Sequence, residues 1–300
     1  MLDNLMILYQ APPVLVDLVV NGFLIGAIFA LVAYGLALVW GVMRIINVAQ
    51  GEFVILGGYA AVLLAQHGIH PLFGIPVAAF LLFALGWILY RLIIFRIVGR
   101  DLFTSVLATY GISILLQQLM NTTFGGNVQV AETGLGTWFF MDGIVTIAQI
   151  KAIAMVLAAV LGLVLVLFLK RSRMGQAIRA TAQNLRAAQV LGIDTDHLYA
   201  MTFALNAAVC GAAGALVAMA YSVHPYFGLP YTVRAFMIVV VAGPGNLAGV
   251  IAAALGLGAA ENLAGFILGT QLQLAFTFVL LVLVLVLRSW QLTRRREYLK

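Results

Sequence analysis

Charged side chains are scarce in this sequence. They make up 9% of its 300 residues, while hydrophobic residues make up 64%. An ordinary soluble domain has roughly 25% charged and about 45–50% apolar residues. A soluble fold of this length has no interior large enough to cover so much apolar surface, so a soluble domain is excluded. Each crossing of a bilayer needs about 20 predominantly apolar residues, and the composition predicts an integral membrane protein.

Several features of enzymes and nucleotide-binding proteins are missing as well. The single cysteine, Cys210, allows neither a disulfide framework nor a thiolate metal site. No G-x-x-x-x-G-K-[ST] pattern occurs, so the chain has no P-loop for ATP. No nucleophile–base pair and no metal-ligand spacing of histidines is found. Because no Lys or Arg precedes Arg44, we expect the first apolar run to stay in the membrane rather than be cleaved as a signal peptide.

The apolar runs themselves, separated by Gly, Pro, Asn or charge, predict the architecture. We expect an all-α bundle of about eight or nine transmembrane helices in a single domain, residues 1–300. The predicted spans are 14–40, 46–66, 72–94, 104–120, 150–170, 198–221, 231–243, 246–268 and 271–288. The seventh is too short to cross a bilayer alone. It is expected to be a broken or re-entrant helix, which protein or a water-filled cavity must cover.

The net charge of +6 is distributed as the positive-inside rule describes. Basic clusters lie between apolar runs at 91–100, 170–186 and 288–300. If all three are cytoplasmic, segments 121–149 and 222–230 face outward and the N-terminus is outside, with Lys151 and Arg234 as exceptions. No basic stripe interleaved with aromatic residues occurs, so we expect no nucleic-acid partner.

The longest polar stretch, 170–197, is predicted to be a cytoplasmic loop with a helix at 176–192. Gly175 interrupts the preceding helix, and Gly192 supplies a C-cap of positive φ. One face of the predicted helix contains Ile178, Ala182, Leu185 and Ala188. Because these side chains are mostly small, the face suits a groove on another protein better than a lipid surface. A helix lying on the lipid is the alternative.

This loop resembles a motif of ABC importers. Arg186-Ala187-Ala188, followed by Gly192, is similar to the E-A-A-x-x-x-G loop of their permeases, with Arg in place of Glu and no Leu-Pro further on. In that superfamily the loop is a coupling helix that contacts the ATPase subunit. The resemblance implies coupling roles for Arg179, Leu185, Arg186, Ala187, Ala188 and Gly192.

A more specific resemblance begins at residue 22. The segment 22–60, GFLIGAIFALVAYGLALVWGVMRIINVAQGEFVILGGYA, is similar to the N-terminal signature of branched-chain amino acid permeases of the LivH type, with its R-I-I-N-F-A-H-G-E motif. Val48 and Gln50 stand where Phe and His are usual. Residues 243–249, GPGNLAG, resemble the G-G-x-G-[SN]-x-x-G element of the same family, and 234–236 stand in place of its Lys-Ala-Phe.

The resemblance implies a multi-pass permease subunit of an ABC importer in the bacterial inner membrane, which moves small amino acids and by default the branched-chain ones. It further implies a second homologous permease subunit or a homodimer, two ATP-binding subunits and an extracytoplasmic substrate-binding protein. ATP is then used by the partners, and no cofactor or metal is expected in this chain. Permeases for urea, amides or aromatic acids are an alternative. An ion-coupled secondary transporter is another, although we find no internal repeat and only Glu52 and Glu261 as coupling candidates.

Interrupted helices and buried acids are the candidates for the substrate path. At the start of a helix, as at 47–52, free N–H groups and the positive dipole end favour an anion, although Glu52 could equally act locally. Pro244 prevents a regular helix through 243–249, which either leaves backbone groups free near a path or forms a turn. Glu261 lies deep in an apolar run, either on the path or hydrogen-bonded to a neighbouring helix. The candidates are Asn47, Gln50, Glu52, Gly243, Gly245, Asn246 and Glu261.

Two further expectations concern packing. Arg234 is expected to extend to the membrane interface rather than to contact substrate. Pairs of glycines four residues apart, among them Gly22 and Gly26, are expected to let helices approach closely in the bilayer.

Overall fold

A computed structural model of the chain describes residues 2–243 and 246–297. Gly245 of the predicted path therefore lies outside the described residues, as does Lys300 of the C-terminal basic cluster. The α-helices are α1 (Leu2–Gln10), α2 (Pro12–Met43), α3 (Gln50–Gln66), α4 (Gly74–Leu92), α5 (Leu102–Phe124), α6 (Gln149–Arg171), α7 (Arg173–Gln183), α8 (Leu185–Val190), α9 (Thr195–Ala220), α10 (Gly228–Ala242), α11 (Leu247–Leu268) and α12 (Gln273–Glu297).

The predicted membrane bundle is confirmed, since each of the nine predicted spans coincides with a helix. Within the described ranges, seven helical segments are long and apolar enough to cross a membrane. The seventh predicted span is α10, which has only 15 residues. One departure from a purely helical fold is an antiparallel hairpin, β1 (Thr137–Phe140) and β2 (Val145–Ala148), in the long segment between α5 and α6.

The α2 helix lies at the centre of the bundle, where it packs against α6, α9, α10 and α11. Two glycines on it allow α11 to pack backbone against backbone. A Cβ added at Gly22 would lie 2.5 Å from Cα of Ala259, and one at Gly26 would lie 2.7 Å from the carbonyl oxygen of Ala254. These contacts confirm the close approach predicted for Gly22 and Gly26. Since Gly22 meets the later residue of α11, the two helices are antiparallel.

The connecting segments gather at two ends of the bundle. At one end, Gln129 and Val223 exchange backbone hydrogen bonds of 2.9 and 2.8 Å, and the backbone N–H of Thr146 donates to Asp17 at 2.8 Å. At the other end, Arg44 lies beside the segment of α7 and α8. This grouping agrees with the predicted sides, while the direction of the bundle in the membrane stays a prediction.

The prediction of one helix at 176–192 is wrong, because the capping side chain of Asn184 divides the segment into α7 and α8. Ser172 Oγ accepts from the backbone N–H of Gly175 at 2.9 Å, so α7 begins before Gly175 and includes it. Asn184 Oδ1 accepts from the backbone N–H of Ala187 at 3.1 Å and starts α8. Short polar side chains favour helix starts over helix interiors for this reason. Gly192 has the predicted positive φ, 80°.

Candidate functional site

The α3 helix begins in the interior of the bundle, not at its end. The chain leaves α2 at Arg44, whose φ is 54°, and α3 starts only at Gln50. The side-chain amide of Gln50 donates to the carbonyl oxygen of Val32 at 2.9 Å and lies 2.9 Å from the sulfur of Cys210. Val32 is about 16 Å along α2 from its end at Met43. The predicted second span, 46–66, therefore has a helical part that starts near mid-depth.

Two threonines on neighbouring helices bind the backbone around this start. Thr109 Oγ1 of α5 accepts from the backbone N–H of Val48 at 3.1 Å. Thr232 Oγ1 of α10 accepts from the backbone N–H of Gly51 at 2.8 Å and donates to the carbonyl oxygen of Val48 at 2.9 Å. Non-helical backbone at this depth has no water to satisfy it, so these hydroxyl groups stabilise the irregular segment.

Glu52 lies at the junction of α3, α5 and α10, and it is fully buried. Its Oε1 accepts from Ser113 Oγ at 3.1 Å and from the side-chain amide of Gln117 at 2.8 Å. Its Oε2 has no hydrogen-bond partner among the described residues. Gly228, the first residue of α10, packs directly on the carboxyl group, and a Cβ at that position would collide with it. The amino ends of two short helices therefore meet at one buried acid.

A buried carboxylate with a free oxygen is unstable unless a cation or a proton accompanies it. The junction at Glu52 contains no lysine or arginine that bonds to this oxygen within the described ranges. The arrangement can therefore hold a proton or accept a cationic group such as an ammonium ion.

Polar side chains of α5 facing this junction were missed by the sequence analysis. Ser105, Thr109 and Ser113 are buried, and Gln117 is partly buried. They occur at intervals of four residues, which places them on one face of a helix. The signal is present in the sequence as a polar stripe in a largely apolar span, and it contains neither an acid nor a helix interruption.

Asn47 and Gln50 have their partners in another part of the bundle. The side-chain amide of Asn47 donates to Gln50 Oε1 at 3.2 Å, and Gln50 in turn contacts α2 and α9. Asn206 of α9 continues this chain of polar groups, with its Oδ1 lying 3.7 Å from Cys210 Sγ. All four side chains are buried. The structure thus separates the predicted trio, since Glu52 is bonded to α5 instead.

Glu261, another predicted path residue, forms an ion pair with Arg234. The guanidinium Nε of Arg234 lies 2.8 and 3.0 Å from the two carboxylate oxygens, and Thr277 Oγ1 donates to the same carboxylate. The guanidinium also lies 5.0 Å from the ring centre of Phe29. The expectation that Arg234 extends to the interface is wrong, because a carboxylate whose two oxygens share its Nε–H and an aromatic face offset the cost of partly burying it.

The segment 243–249 does not adjoin the Glu52 junction. The α10 helix ends at Ala242, and α11 begins at Leu247 with Asn246 Oδ1 accepting from the N–H of Gly249 at 3.0 Å. The 15 residues of α10 separate its two ends by about 21 Å. Gly243 and Asn246 therefore lie at the far end of α10 from Glu52.

The predicted coupling face is divided between the chain's own core and its surface. Ile178 and Ala188 are buried within the chain, at 1% and 2% exposure, so the prediction that Ala188 contacts a partner is wrong. The exposed apolar residues are Leu185, Val190 and Leu191, and Val190 is 87% exposed. Arg179, Arg186, Ala187 and Gly192 are also exposed. Arg179 Nη2 donates to the carbonyl oxygen of Lys170 at 3.2 Å.

No group of three or more His, Cys, Asp and Glu side chains that could hold a metal ion occurs in the part of the chain that the structure describes.

Comparison with known proteins adds an independent observation. Residues 18–287 match a family described as the permease component of branched-chain amino acid transport systems. The chain is 31% identical over 291 residues to the high-affinity branched-chain amino acid permease protein LivH of Escherichia coli K12, covering 92% of this chain and 94% of that protein. It is 31% identical over 293 residues to BraD, the corresponding protein of Pseudomonas aeruginosa, with coverage of 93% and 95%.

Among solved structures, PsaBC from Streptococcus pneumoniae, determined in complex with a Fab, has a similar fold. The TM-score is 0.50 over 95% of each chain, at 13% sequence identity.

Proposed function

This chain belongs to the family of permease components of branched-chain amino acid transport systems, and from that premise we propose that it carries leucine, isoleucine and valine. It is a permease subunit of an ABC importer and a protein of the inner membrane. The observation that carries the substrate proposal is the match through residues 18–287, supported by relatives that align over nearly their whole length. ATP is used by partner subunits in this proposal.

The substrate route of the proposal passes the junction of α3, α5 and α10. Three features support it: a buried carboxylate with an unpaired oxygen, polar side chains on α5 that face it, and two short helices that begin there. Transporters place broken helices of this kind around their binding sites. The ammonium group of an amino acid would supply a positively charged partner for the unpaired oxygen of Glu52.

The two ends of the bundle support an assignment of partners in this proposal. We place the ATP-binding subunits against α7 and α8, where Leu185, Val190 and Leu191 are exposed. A substrate-binding protein would meet the opposite end, formed by 125–148 and 221–227. A second permease subunit would complete the membrane part of the importer. That subunit would be either a second copy of this chain or a homologue of it.

Uptake by the reconstituted importer tests the proposal. The permease, its ATP-binding subunits and its substrate-binding protein would be placed in proteoliposomes, and ATP-dependent accumulation of labelled leucine would be compared with that of labelled urea. We expect uptake of leucine only. Accumulation of urea but not leucine, or uptake of leucine without ATP, would contradict the proposal.

The role of Glu52 is tested in the same preparation. Glu52→Gln keeps the shape and removes the charge, so we expect the importer to assemble and hydrolyse ATP but to lose leucine uptake. Asp101→Asn is the matched control, because Asp101 is an exposed acid outside the junction and asparagine still caps a helix. If the Glu52 variant transports as well as the control, the route does not use this carboxylate.

A further inference from the structure

A cavity of about 750 Å³ opens at the end of the bundle that carries Arg44. Its main walls are the end of α2, the loop between α4 and α5, and the segment of α7 and α8, and Tyr199 of α9 also lines it. Three arginines line it, Arg44, Arg100 and Arg186, one from each of these walls. No aspartate or glutamate is among its lining residues.

No acidic side chain among the described residues compensates the charge of these arginines. The ion pairs found within the described residues are Arg91 with Asp196 and Arg234 with Glu261, and neither involves the cavity. The guanidinium Nε of Arg100 donates only to a backbone carbonyl oxygen, at 3.1 Å. Three like charges around one cavity repel each other, so an anion bound there would be favoured.

The chemistry of the walls narrows the class of anion. A zwitterion such as an amino acid finds no acid for its ammonium group, so the cavity favours a purely anionic group. The planar guanidinium fork matches a phosphate group with two parallel hydrogen bonds. Between the arginines, Val42, Ile45 and Val98 form apolar parts of the wall. A phosphate group attached to an apolar body fits both.

The surroundings indicate the source of that group. Exposed apolar side chains flank Arg100 along the chain, with Phe95 at 53%, Leu102 at 55% and Phe103 at 74% exposure. Such side chains are suited to the edge of the hydrocarbon layer. We propose that the cavity binds the phosphate group of an anionic phospholipid from the adjacent leaflet, as basic pockets at the ends of membrane helices do. A free phosphate compound would share this chemistry.

A phosphate in the cavity would connect the coupling segment to the bundle. Arg186 belongs to α8, whereas Arg44 directly follows α2 and Arg100 lies just before α5, two helices of the membrane bundle. A ligand held by all three joins α8 to the membrane helices across the cavity. Anionic lipid would then act on the coupling between ATP hydrolysis and transport.

Lipid retention by the assembled importer tests the inference. The importer would be purified from an equimolar mixture of phosphatidylglycerol and phosphatidylcholine, and the retained lipids counted by native mass spectrometry. We expect the double variant Arg100→Gln with Arg186→Gln to bind phosphatidylglycerol at least about tenfold more weakly, since the loss of even one charged hydrogen bond has an effect of that size. The control is Arg96→Gln with Arg173→Gln, which removes the same charge from exposed residues outside the cavity.

The outcomes of this experiment distinguish a phospholipid from a free phosphate compound as the source of the phosphate group. Equal loss in the control, or no preference for phosphatidylglycerol in the unaltered importer, would overturn the lipid assignment. Titration with inorganic phosphate in phosphatidylcholine alone identifies a free phosphate compound if it binds with the same dependence on Arg100 and Arg186. Binding by the isolated permease that disappears when the ATP-binding subunits are added would overturn the inference, because an acidic side chain of the ATPase would then occupy the cavity.

Discussion

Replacing Gly258 of α11 with alanine is expected to destabilise the permease, because its Cα faces the backbone of α2. A Cβ there would lie 2.8 Å from both N and Cα of Gly26 and would collide with the carbonyl oxygen of Gly22. Carbon atoms in contact are normally about 3.5–4.0 Å apart. Backbone atoms cannot move aside as a flexible side chain can, so α2 and α11 must separate along their length.

The expected cost is about 1–3 kcal/mol, the usual penalty for overpacking a well-packed interior. For a large domain this corresponds to a fall in Tm of roughly 2–4 °C for each kcal/mol. Thermal unfolding of the purified permease, followed by fluorescence, measures it. Gly256→Ala is the matched control in the same helix, because no described atom of another helix lies within 4 Å of its Cβ position. We expect that control to be neutral or slightly stabilising, since alanine favours helix over glycine. Equal Tm values for the two variants would refute the reasoning.

Other predictions follow from the same contacts. Arg234→Met leaves a buried carboxylate without its partner and should cost about 3–5 kcal/mol in denaturant unfolding, while Arg234→Lys should cost less. Leu191→Asp should abolish uptake in an assembled importer that still hydrolyses ATP, whereas Ala188→Asp, at a buried position, should lower the yield of folded permease. The side-chain and backbone hydrogen bonds of Thr104 lower the pKa of Asp101. The resulting stabilisation is complete above the usual pKa of aspartate and disappears as pH falls through the lowered one, so Asp101→Asn should weaken the pH dependence of Tm in that acid range.

The sequence predicted the spans well because the length of an apolar run is a local property of the chain. The start of α3 shows the limit of this reasoning. Three of the four residues 46–49 are apolar, so hydropathy extends the predicted span through them. They are not helical, because Thr109 and Thr232 from distant parts of the chain bind their backbone. Hydropathy contains no information about such partners.

The prediction for the coupling segment, residues 170–197, failed for a different reason. Its composition suited one helix, and the caps at Ser172 and Asn184 could have been recognised from their residue types. Whether Ala188 is buried in its own chain or faces a partner could not be predicted, since an alanine side chain fits either place. Only the packing of α8 on the bundle decided that Ala188 is buried while Leu191 is exposed.

By itself, the sequence determined that this protein is a multi-helix membrane permease, because apolar composition, span length and family motifs are all contained in the order of residues. The tertiary structure decided which polar groups meet. It joined Arg234 to Glu261 and left one oxygen of Glu52 unpaired at the start of α10. These pairings depend on how helices far apart in the chain cross and at what depth each begins. That geometry is set by contacts between backbones, such as those at Gly22 and Gly258, and not by the hydrophobicity of any single segment.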